Sequence, residues 1–147
     1  DPLRDIAQAD GLLSDVVIEE LLVPWLFRAN SRGRLAEAVD DLGPLTAELP
    51  GDAALVALDR RHRRVLVCGV FGQSRPLGAR RVRAFAAAAR TLLESAWPGW
   101  SGRVLIASLS GFTARARRSR PTASWVLVSG QTLARDLARW IRRPAPR

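Results

Sequence analysis

The chain has 147 residues, 48% of them hydrophobic, which is enough for one domain with one core and too apolar for a disordered chain. All 23 basic residues are arginine, and against 14 acidic residues they leave a net charge of +9. The single cysteine, Cys68, excludes an internal disulfide, and Cys68 with the single histidine, His62, falls short of the about four ligands a zinc site takes.

The first predicted element is a helix over 10–28. Leu12, Leu13, Val16, Val17, Leu21, Leu22 and Trp25 recur at helical spacing, and Pro24 interrupts the run. A second helix is expected over 31–42, with Ser31 as N-cap and Gly43-Pro44 as its stop. Residues 44–50 read as a loop or a short edge strand. Two apolar runs, 53–58 and 64–71, flank the polar stretch Asp59-Arg60-Arg61-His62-Arg63 and predict a β-hairpin. The second run is apolar on both faces, which predicts a central strand covered on both sides. After a loop over 72–78, the Ala-rich segment 80–96 predicts a helix ended by Pro98-Gly99. Next come a strand over 103–109, the turn Ser110-Gly111-Phe112-Thr113, and a short helix through Arg120 capped by Thr113. A strand over 124–128 and a last helix over 130–142 capped by Ser129 complete the order. The expectation is an α/β fold, an open mixed sheet with helices on both faces. Residues 1–50 are expected to form an N-terminal helical segment packed on a core of 51–147.

No apolar run reaches about 18 residues, so no transmembrane helix is expected, and no signal peptide is visible. With its lone thiol, the chain is expected in the reducing cytoplasm. Because it begins at Asp1 rather than Met, it is expected to be part of a longer polypeptide. His62 sits in an Arg-rich turn and reads as an exposed turn residue rather than a catalytic base.

The hairpin and the segments after it resemble the restriction-endonuclease-like superfamily. The stretch from Gly51 to Gly78 is similar to that superfamily's metal-site hairpin. It is most similar to the C-terminal domain of archaeal-type AAA ATPases, with Mrr-type nucleases more distant. Ser74-Arg75-Pro76-Leu77-Gly78 matches their Arg-Pro-Val-Gly segment, Ser110-Gly111-Phe112-Thr113 matches their Ser-Gly-Phe-Thr, and 125–133 matches their last strand and helix start. The resemblance covers 51–142. It implies a fold in which an Asp on one strand and a Glu-x-Lys on the next hold Mg²⁺ and stabilise the charge of phosphodiester cleavage. At those positions this chain has Ala54, Gly69 and Phe71. Neither Asp52 nor Asp59 replaces them, because no carboxylate lies between Arg60 and Leu93. The expectation is a catalytically inactive, nuclease-like domain with no metal or other cofactor.

Charge is divided sharply along the chain. Residues 1–59 hold 12 acidic and 4 basic side chains, and residues 60–147 hold 2 acidic side chains and 19 arginines. Arginine richness alone reflects a GC-biased composition, but such bias replaces lysine without depleting Asp and Glu. The second half therefore predicts contacts to phosphates, with duplex DNA as partner, through Arg61, Arg63, Arg75, Arg80, Arg81, Arg83, Arg115, Arg117, Arg118 and Arg120. No Asn or Gln beside these clusters suggests a recognition helix. The alternative is an assembly or accessory module of a larger, ATPase-type complex. That module would dock on another domain or protein through the apolar helix over 10–28 and bind no nucleic acid.

Overall fold

The computed structural model describes residues 22–25, 41–45, 49–119 and 125–142. Five strands and three helices follow in the order β1 (Asp41–Pro44), β2 (Ala53–Asp59), β3 (Arg64–Phe71), α1 (Ala79–Ala96), β4 (Ser101–Ser108), α2 (Ala114–Arg118), β5 (Trp125–Ser129) and α3 (Gly130–Arg142). The strands form one sheet in the order β1-β2-β3-β4-β5. The first two pairings are antiparallel and the last two parallel. The fold is thus α/β with a mixed sheet flanked by helices, and the predicted hairpin forms with β3 at its centre.

β3 alternates between two cores. Leu66, Cys68 and Val70 face Leu22, Trp25 and the α3 residues Leu133 and Leu137. Val67 and Phe71 face α1 and α2. Burial on both sides is why Arg64–Phe71 carries no polar alternation. α1 is an Ala-rich helix whose Ala79, Val82, Phe85, Ala86 and Ala89 recur at three- and four-residue spacing and form its buried stripe. It ends where Pro98-Gly99 follows, with the Trp97 N–H donating to the Leu93 carbonyl.

Two predicted caps are present: the Thr113 hydroxyl accepts from the Ala116 N–H at 3.1 Å, and the Ser129 hydroxyl from the Thr132 N–H at 3.1 Å. The helix predicted over 31–42 is corrected at its end, where Asp41 and Leu42 lie in β1. Pairing with β2 overrides the local preference there, with Asp41 opposite Leu58 and Pro44 opposite Leu55. The rest of that helix lies outside the described residues. β4 begins two residues earlier and ends one earlier than the apolar run suggests, because Ser101 pairs with Arg64.

Of the helix predicted over 10–28, Leu22–Trp25 is described. It is a helical turn with Leu22 and Trp25 both buried against the sheet. The Trp25 indole N–H donates to the buried Asp136 carboxylate at 3.1 Å, tying this segment to α3. Trp25→Phe keeps the ring burial and withdraws the donor. Urea unfolding is expected to show a loss of about 1–3 kcal/mol, and an unchanged midpoint would mean that the bond contributes nothing.

Candidate nucleic-acid interface

Strands β3, β4 and β5 run parallel and end side by side at Phe71, Ser108 and Ser129. The loops leaving this edge are joined to one another. The Leu77 N–H donates to the Gly111 carbonyl at 2.9 Å, and the Thr113 N–H to the Leu77 carbonyl at 3.0 Å. The Ser110 hydroxyl donates to the Gln73 carbonyl at 2.7 Å, and the Gln73 amide reaches the carbonyls of Arg75 and Pro76. Two short loops with few apolar side chains thus hold one shape through their backbones.

Seven of the ten predicted arginines gather at this edge: Arg75 on the loop, Arg80, Arg81 and Arg83 at the start of α1, and Arg115, Arg117 and Arg118 on α2. All seven are exposed. Two guanidinium groups are set over rings. Arg81 lies 5.2 Å from the Phe71 ring centre and donates to the Gln73 side-chain oxygen, while Arg117 lies 6.0 Å from that of Phe112. Arg83 Nε donates to the Ala79 carbonyl at 3.4 Å. Among the described residues the carboxylate at this edge is Asp52, which accepts from the Gly72 N–H at 2.6 Å.

Arg61 and Arg63 are not part of this group. They occupy the β2–β3 turn at the opposite end of the sheet, separated by the length of β3, about 23 Å at roughly 3.3 Å per residue. Acidic partners lie at that end. Arg60 is paired with Asp41 at 2.7 Å. The buried Asp59 accepts from the His62 N–H at 3.2 Å and lies 2.9 Å from His62 Nδ1. His62 is in the turn, as expected, but its ring is held by Asp59 rather than free. Arg120 lies outside the described residues.

The three positions where the resemblance would put metal ligands and a lysine can be compared with what Mg²⁺ requires. Ala54 stands opposite Gly69 on the neighbouring strand. A Cβ built on Gly69 would lie 2.4 Å from Cε2 and Cζ of Phe85, so the α1 ring fills the space that a side chain there would need. Phe71, fully buried, meets Phe85 edge to face with ring centres 5.8 Å apart and planes at 80°. None of Ala54, Gly69 and Phe71 presents a side-chain oxygen to a hard cation. Among the described residues, no three of His, Cys, Asp and Glu come together in a way that would hold a metal. No helix among them is long and apolar enough to cross a membrane.

No family model, curated protein or solved structure matches the chain. The functional reading rests on the side chains themselves. The arginine clusters were visible in the sequence, but Gln73 and Ser110, which fix the loops beneath them, carried no signal beyond their place in turns.

Proposed function

We propose that this is a catalytically inactive, nuclease-like domain that binds duplex DNA through backbone phosphates. The observation that carries the reading is the gathering of seven exposed arginines on one edge of the sheet, facing a single engaged carboxylate among the described residues. Guanidinium groups set over rings and against a loop amide lose less freedom on meeting phosphate than free ones do. Such contacts position a duplex without reading its bases. Binding is measured by anisotropy of a labelled duplex at increasing salt. The expected result is steep salt dependence with little sequence preference. Absence of binding at low salt would favour an assembly module, although the described turn of its supposed docking helix is covered by α3 and the sheet.

The packing of Phe71 and Phe85 supports inactivity. Purified protein is expected to leave supercoiled plasmid intact in Mg²⁺ or Mn²⁺. Nicking that copurifies with the protein and disappears in Asp52→Asn would overturn this.

The two ends of the sheet separate the arginines experimentally. Arg61→Ala with Arg63→Ala is expected to weaken duplex binding by no more than about twofold, because long-range attraction is screened beyond roughly 8–10 Å at moderate salt. A loss equal to that from removing two edge arginines would place the duplex along the whole face.

A further inference from the structure

Beside the arginine edge, a cavity of about 300 Å³ opens between the β4–α2 turn and the start of α3, lined by Ser110, Gly111, Phe112, Arg117, Ser129 and Gln131 among others. We propose that it seats a phosphate monoester, the terminal phosphate of a nucleic-acid strand. The proposal rests on the nucleic-acid reading above and adds a preference for chain ends.

Three observations carry it. The cavity lies outside the carboxyl ends of adjacent parallel strands, where open α/β sheets bind ligands. Its volume is at the lower limit of small-molecule sites, which run from about 300 to 1,000 Å³. A strand end can enter a recess of that size, whereas an internal diester must continue outward in both directions. Its cation is Arg117, whose head is set over Phe112 and has no carboxylate partner among the described residues. The acidic residue on α3, Asp136, is buried against Trp25.

The hydroxyl protons of Ser110 and Ser129 are already committed to the Gln73 carbonyl and the Thr132 hydroxyl. The side-chain donors left for an anion are the Arg117 guanidinium and the Gln131 amide. A monoester carries about −1.5 to −2 charges near neutral pH, more than the single charge of a diester, and suits this purely donating set.

The test compares two short blunt duplexes of one sequence, ended by phosphate or by hydroxyl, in anisotropy titrations with the full chain. The phosphorylated duplex is expected to bind about tenfold tighter, equivalent to roughly 1.4 kcal/mol. Arg117→Ala and Gln131→Glu are each expected to abolish that ratio, the second by placing a carboxylate in the cavity. Arg90→Ala, which removes the same charge from the far end of α1, is expected to preserve it. Equal binding of both duplexes by the unaltered chain would overturn the terminal-phosphate site and leave the phosphate-backbone reading standing.

If neither duplex binds, the nucleic-acid reading fails, and inorganic phosphate then decides the cavity. A rise in Tm over chloride at matched ionic strength that is lost in Gln131→Glu would leave a site for a free phosphoryl anion. No rise would overturn the site altogether.

Discussion

Gly69→Glu is expected to leave the chain unfolded at 25 °C. The new Cβ alone would meet the Phe85 ring at 2.4 Å, inside any real contact distance. The carboxylate beyond it would be buried among Val67, Phe71 and Phe85, without a partner. Overpacking costs about 1–3 kcal/mol and an unpaired buried charge several more, against a total of about 5–15 kcal/mol for a whole domain. Gly69→Ala isolates the steric part and is expected to lose about 1–3 kcal/mol in urea unfolding. Phe85→Ala alone is expected to lose about 3–5 kcal/mol. Because the new methyl partly fills the space the ring vacates, the double variant should lose less than the sum. A Gly69→Glu protein that folds with an unchanged midpoint would mean that the ring swings aside. The space beside Gly69 would then be accessible, and the proposed inactivity would lose its support.

Replacing Arg80, Arg81 and Arg83 with Ala is expected to weaken duplex binding to a similar degree for every sequence tested. It should also flatten the plot of log K against log salt by up to about 2.7, since each phosphate contact contributes roughly 0.9. If all seven edge arginines touch phosphate, the unaltered chain should lose affinity on the order of 10⁴-fold between about 50 and 200 mM salt. Arg81 is the most restrained of the three, held between Phe71 and Gln73. Arg81→Lys keeps the charge but not the planar fork, and should recover only part of the loss. A triple variant with an unchanged slope would show that this edge does not meet the backbone.

Residues 53–142 were largely legible as sequence because their strands are uninterrupted apolar runs and α1 has a repeating Ala-rich stripe. Thr113 and Ser129 announced their helices through cap chemistry. β1 was not legible. Asp41-Leu42-Gly43-Pro44 contains no β-branched residue, and it is a strand because β2 offers it a partner. The site was half legible. Ala54, Gly69 and Phe71 are plain in the sequence, but nothing there says that Phe85, sixteen residues beyond Gly69, fills the space beside Gly69. Likewise the arginine clusters were plain, yet the separation of Arg61 and Arg63 from the others depends on which end of β3 each loop leaves. Adjacency in sequence says little about that.

β1 has a consequence for where the chain can be cut. Strand order places it at the rim of the sheet beside β2, whose own outer edge it caps over four residues. Proline at its end lacks an N–H, and so short a rim gives a neighbouring molecule little to pair with. A chain shortened to begin at Gly51 would uncover the outer edge of β2 over Leu55–Leu58, a row of backbone donors and acceptors beside apolar side chains. That is a template for edge-to-edge association between molecules. Removing the four residues of β1 is therefore expected to promote self-association, so the arginine edge is better tested with them attached.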